Sequence, residues 1–160
     1  MLDYNLVGVV ATYRMPKPED LPALVSMVER YHEETRTGLF VNQAGVVATL
    51  KELNAHRREG SWFVFEIEEE VVGYCLVANR WSNGLGGTML HVDELYVRPG
   101  RRGRGIASDF LGLLAKVAPD DAVAISIELP AGSRRARGLL GRLGYGESKG
   151  ITMSRPLRGA

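Results

Sequence analysis

The segment Leu95 to Phe110, LYVRPGRRGRGIASDF, constrains this chain more than any other. A strand-like apolar run passes into an Arg/Gly-rich turn and then into the start of an apolar-periodic helix. Such a break aims several backbone N–H groups, with the positive end of a helix dipole, at one point in space. Gly103 and Gly105 admit the main chain to an anion without a Cβ in the way, while Arg101, Arg102 and Arg104 add charge and bidentate donors. The segment reads either as an anion cradle suited to a pyrophosphate or as a basic solvated turn.

Competing phosphate motifs fit poorly. Gly103-x-Gly105-x-x-Ser108 does not complete the dinucleotide fingerprint, and no G-x-x-x-x-G-K-S/T loop is present. With 20 Lys+Arg against 19 Asp+Glu the charge is balanced, so binding of nucleic acid through Arg101 to Arg104 draws on local charge alone and is not expected.

At 160 residues, 45% apolar and 24% charged, the chain is expected to form one domain over 1–160. It shows no secretory pattern and no apolar run long enough to span a bilayer, so a soluble cytoplasmic protein without a membrane partner is expected. Cys75, the single cysteine, lies in the apolar run Val71 to Ala78 and reads as a buried thiol. His32, His56 and His91 show neither an i, i+4 pair nor H-E-x-x-H spacing, and no metal is expected. No G-x-S-x-G elbow supports covalent hydrolysis, which leaves direct transfer open.

Val7 to Tyr13 reads as a first strand, followed by a turn at Pro16 to Asp20 in which Asp20 caps a helix. Leu21, Leu24, Val25, Val28 and Tyr31 recur at helical spacing and predict a helix to about Glu34; Val46, Leu50 and Leu53 mark a second. Ser61 to Ile67 and Val71 to Ala78 predict a hairpin around Glu68-Glu69-Glu70, and Met89 to Val97 the next antiparallel strand. Phe110, Leu113, Leu114 and Val117 stripe a third helix. A strand over Ala122 to Leu129, a helix from Ser133 to Leu143 and short strands near Glu147 and at Ile151 to Arg155 follow. The expected class is α/β: a mixed, mostly antiparallel twisted sheet flanked by helices, ordered β-α-α-β-β-β-α-β-α-β-β.

Arg102-Gly103-Arg104-Gly105-Ile106-Ala107 fits R/Q-x-x-G-x-G/A, Tyr96, Val97 and Pro99 stand before it, and an L-x-x-x-G-Y segment closes the chain. On these residues and on its element order the chain resembles the GCN5-related N-acetyltransferase (GNAT) family over nearly its whole length. The resemblance implies acetyl-CoA as co-substrate. It further implies that backbone groups of Leu95, Tyr96 and Val97 meet the pantetheine arm, with the Val97 amide near the thioester oxygen. Amides of Arg102, Gly103, Arg104, Gly105, Ile106, Ala107 and Ser108 would hold the pyrophosphate, and Ser133 stands where the family has an asparagine.

His91-Val92-Asp93-Glu94-Leu95-Tyr96-Val97 looks like the E-D-I/L-Y-V version of polyamine and aminoglycoside acetyltransferases, making Asp93 and Glu94 the candidate catalytic carboxylates. Strand alternation puts them on opposite faces unless a bulge re-aims one, and Asp93 is favoured. His91 is a weaker candidate base. The family's tyrosine acid is replaced by Leu140, so Tyr145, Ser133 or water would protonate the thiolate, or it would leave unassisted.

Tyr31, His32, Glu33, Glu34 and Arg36 end the first helix, whose junction with the second lines the acceptor pocket in similar proteins. With Asp93, Glu94 and Glu128 they hint at a cationic amine, either a small molecule or a peptide. The alternative is a non-catalytic acyl-CoA-binding or sensor module, motivated by Leu140. Similar proteins commonly pair, so a homodimer is compatible with this reading, although no residue pattern marks it.

Overall fold

The computed structural model describes residues 5–130, 132–155 and 157. Six strands form one sheet in sequential order: β1 (Asn5–Val7), β2 (Thr12–Arg14), β3 (Gly60–Ile67), β4 (Glu70–Ser82), β5 (Gly87–Val97) and β6 (Ala122–Ile127). Neighbours are antiparallel except β5 and β6, which are parallel. The helices are α1 (Leu21–Thr35), α2 (Gln43–Ala55), α3 (Ile106–Lys116) and α4 (Arg134–Arg142). The expected α/β class therefore holds.

Helices cover both faces of the sheet, which explains why β3 reads as a continuous apolar run rather than an alternation. On one face Phe63, Phe65, Val77, Leu90 and Val92 pack with Phe110, Leu111 and Leu114 of α3 and Leu140 of α4. On the other, Trp62, Val64, Tyr74 and Tyr96 pack with Leu24, Met27 and Val28 of α1 and Val46 of α2. Cys75 is buried on the α3 side as expected, and burial pushes its thiol well up.

The expected first strand, Val7 to Tyr13, is instead two strands joined by a tight return closed by Gly8 N–H donating to the Ala11 carbonyl at 2.9 Å. The cause lies far away. The Asp109 carboxylate of α3 accepts from the amides of Val9 at 3.3 Å and Val10 at 3.1 Å and stands 2.8 Å from the Tyr13 hydroxyl. Asp20 occupies the cap position of α1 without capping it; its carboxylate takes both terminal nitrogens of Arg14, at 2.7 and 3.1 Å, and the Lys17 amide at 2.6 Å. The two expected terminal strands are not formed: residues 144–155 carry no strand, and Ile151 and Met153 are each 87% exposed. Alternation makes a strand only where an edge satisfies its amides, and among the described residues nothing pairs there.

Candidate functional site

Pairing between β5 and β6 ends at Val92 with Ile127, so the rest of β5 runs on with its outer edge open. The Arg98 amide donates to the Val72 carbonyl at 2.9 Å, which sets the phase of this segment. By alternation the main-chain groups of Tyr96 turn toward β4 while those of Leu95 and Val97 turn to the open edge. The backbone of Tyr96 pairs with Tyr74, and its side chain faces the α1 side.

The open edge leads into the glycine turn. Gly103 at φ +77° and Gly105 at φ +83° adopt left-handed conformations that a side chain would strain. Asp109 is the first α3 residue to bond back, to the Gly105 carbonyl at 2.9 Å. The amides of Gly103, Arg104, Gly105, Ile106, Ala107 and Ser108 therefore have no backbone partner among the described residues. The start of α4 adjoins this cradle. Arg135 lies over Gly103, so close that a Cβ there would stand 2.8 Å from its Nη2. Ser133 sits at the cap position of α4 with no capping hydrogen bond from its side chain.

The basic residues of the turn do not act alike. Arg101 pairs with Glu70. Arg102 donates through Nε to the Val97 carbonyl at 2.6 Å and through Nη2 to Glu34 at 2.7 Å, and stacks 5.2 Å from the centre of the Tyr96 ring. Arg104 and Arg135 have no carboxylate partner among the described residues. Positive charge is thus left at the cradle, while the apparent basic patch is half neutralised.

The two candidate carboxylates part company at a β-bulge. Leu76 faces Glu94 and Val77 faces Val92, leaving Asp93 as the extra residue of β5. Asp93 is exposed. Glu94 is re-aimed to the α1 side, where its Oε2 accepts from the Tyr74 hydroxyl at 2.7 Å and its Oε1 lies 3.1 Å from His32 Nε2. Burial pushes the Glu94 carboxyl above its ordinary range, with the Asp93 charge adding to the rise and the Tyr74 and His32 contacts opposing it. Burial, with Glu94 next, pushes the Tyr31 phenol up to about 12. His91 pairs with Ser126 at 2.9 Å across to β6.

Leu140 is 7% exposed and packs in the α3-side core. Tyr145 is half-buried against that core, and burial, with Cys75 next, raises its phenol. Sequence reading had missed the joint role of Tyr74, His32 and Thr37 around Glu94, and the reach of Arg135 to the turn. The Arg-Arg pair after Ser133 was a visible signal for the latter; nothing local signalled the former. Elsewhere, Glu52, His56 and Glu59 gather at the exposed end of α2, where His56 Nδ1 lies 3.0 Å from Glu52.

Residues 21–145 match the model of the acetyltransferase (GNAT) family. The chain belongs to that family. Its fold is also that of solved GNAT structures. A possible acetyltransferase from Clostridium difficile 630 superposes with a TM-score of 0.77 at 17% identity, over 94% of this chain and 99% of that one. The ribosomal-protein-alanine N-acetyltransferase from Brucella melitensis biovar Abortus 2308 gives 0.69 at 16% identity, over 91% and 99%. AAC(6')-Iy, in complex with the bisubstrate analog CoA-S-monomethyl-acetylneamine, gives 0.73 at 13% identity, over 91% and 97%. No curated protein sequence matches the chain. Among the described residues of this GNAT domain, no helix is long and apolar enough to cross a membrane.

Proposed function

We propose that the protein moves an acetyl group from acetyl-CoA directly to a primary amine, most favourably a small cationic one. The observation that carries this reading is a continuous main-chain track: the open edge of β5 at Leu95 and Val97 runs into the unpaired amides of Gly103 through Ser108. Pantetheine would lie along the edge and pyrophosphate in the turn, held by those amides with Arg104 and Arg135. Ser133, with its hydroxyl uncommitted, would contact the same arm.

In the reaction the amine nitrogen attacks the thioester carbon, and the developing oxyanion accepts from the Val97 amide. Glu94 takes the proton released by the amine, directly or through one water, while exposed Asp93 attracts the ammonium form. The C–S bond then breaks, and the thiolate is protonated by Tyr145 or water. None of these steps calls on a metal. A cationic acceptor is supported by Asp93, Glu94 and Glu128 on this chain, and by the acetylneamine portion of the bisubstrate analog bound to AAC(6')-Iy.

A second reading, a GNAT domain that binds acyl-CoA without transfer, is favoured by the buried Leu140. Thiol release from acetyl-CoA across a panel of aminoglycosides, polyamines and peptide N-termini separates the two. Amine-dependent release supports transfer. Thermal stabilisation by acetyl-CoA with no release supports the second reading, and neither effect rejects both.

A further inference from the structure

We propose that His32 is a positioning residue for Glu94, and that Thr37, in the connection between α1 and α2, holds the imidazole tautomer that performs this role. The inference rests on the role given to Glu94 above.

His32 is 9% exposed, one of the few polar side chains in the described core. Its Nε2 lies 3.1 Å from Glu94 Oε1 and its Nδ1 lies 2.8 Å from Thr37 Oγ1. The same Thr37 oxygen accepts from the Leu39 amide at 3.2 Å. Thr37 Oγ1 keeps a second lone pair beside its one proton, so the choice falls to Glu94: an ionised base carboxylate can only accept, which requires the hydrogen on Nε2 and leaves Nδ1 to receive the Thr37 proton. Nδ1 then acts as acceptor, and Nε2 donates its hydrogen to Glu94. Tyr74 donates to the other carboxylate oxygen. Both oxygens accept, which is the pattern of an ionised carboxylate.

Opposing tendencies therefore meet at Glu94. Burial favours the neutral acid, whereas the two donors favour the anion that a base requires. The titratable groups facing it are Tyr74 from β4, Tyr31 and His32 from α1, and Asp93 from its own strand, while the Cys75 thiol feels its charge from the α3 side of the sheet. Glu128 adds to the rise at Tyr31. Of these groups only Tyr74 and His32 donate to the carboxylate. Thr37 is exposed, and the connection beside it carries exposed Leu39 and Phe40. Its contact with His32 links this surface connection to the base by a single hydrogen-bonded line.

The test uses His32→Leu, Thr37→Val and, as the rescue, His32→Gln, whose amide can donate to Glu94 without titrating. The readouts are the pH profile of kcat/KM and the imidazole nitrogen shifts in long-range nitrogen–proton NMR. The wild type is expected to show the Nε2–H tautomer. His32→Leu is expected to move the acidic limb of the profile upward by about one pH unit, because a donor to the charged form is lost. KM for acetyl-CoA should stay unchanged, and His32→Gln should return the limb toward the wild-type position. Thr37→Val, an exposed change that spares the core, should move the limb the same way by less and mix the tautomers. An Nδ1–H tautomer in the wild type overturns the proposal, as does an unmoved limb in Thr37→Val or His32→Leu while the wild type turns over. No amine-dependent turnover in the wild type sinks the transfer reading, and this role with it.

Discussion

The Tyr74 hydroxyl stands 2.7 Å from Oε2 of Glu94, and the two residues share a face only because Asp93 bulges out of β5. Were Asp93 instead paired in register with Leu76, Glu94 would stand opposite Cys75 and face α3. Tyr74→Phe keeps the ring packing and removes one donor to the carboxylate. The Glu94 pKa, already above its ordinary value, should rise further. A carboxyl raised on folding contributes stability that is full below its ordinary range and is lost as pH climbs through the folded value. Urea unfolding between about pH 4 and 8 should therefore show Tyr74→Phe losing about 1–2 kcal/mol more than the wild type toward neutral pH. Glu94→Gln should flatten the slope.

Asp20 has the opposite sign. Burial alone would raise its pKa, but the hydrogen bonds and charge of Arg14, with the Lys17 amide, outweigh burial and hold the carboxyl below its ordinary range. Its stabilisation is full above that range and lost as pH falls through the lowered value. Asp20→Asn is expected to cost about 3 kcal/mol at pH 7, since it leaves Arg14, 12% exposed, short of one partner. The deficit should shrink on acidification, as followed by circular dichroism melts.

Gly103→Ala meets two obstacles: a left-handed backbone at φ +77° and a Cβ 2.8 Å from Arg135 Nη2. The strain is about 1–2 kcal/mol, and relieving it displaces the turn or Arg135. Calorimetry should find coenzyme A affinity lowered about tenfold. Gly100→Ala, with nothing within 4 Å of its Cβ, should bind as the wild type does.

Arg135→Ala leaves the turn backbone intact and removes an unpaired guanidinium beside it. Coenzyme A affinity should fall about tenfold at low salt and converge on the wild-type value as ionic strength rises. Equal affinities at low salt would remove Arg135 from the cofactor site.

Tyr145→Phe tests proton delivery to the thiolate. Loss of kcat of about tenfold or more with KM for acetyl-CoA retained would place the phenol in that step. Unchanged kcat would assign the proton to water.

The elements legible in the sequence were those with their own periodicity. The α1 stripe of Leu24, Val28 and Tyr31, the β3–β4 hairpin and the glycine turn all lie within a residue or a few of their expected bounds, because each is encoded by neighbours along the chain. The first strand was misread because its valines are broken by a turn that Asp109 holds, 99 and 100 positions away. The terminal strands were misread because alternation at Ile151 and Met153 cannot supply a pairing edge.

The sequence by itself determined the α/β class, the family resemblance and the glycine turn, since all three rest on local spacing of glycine, arginine and apolar residues. Only the tertiary structure decided which carboxylate is held and how. Glu94 meets His32 across 62 positions and Tyr74 across 20, through a one-residue shift in strand register. It also decided that Arg102 turns back to Val97 and Glu34 while Arg135 reaches forward to the turn. Charge and register are pairwise properties of segments that meet only on folding, and no window along the chain records the meeting.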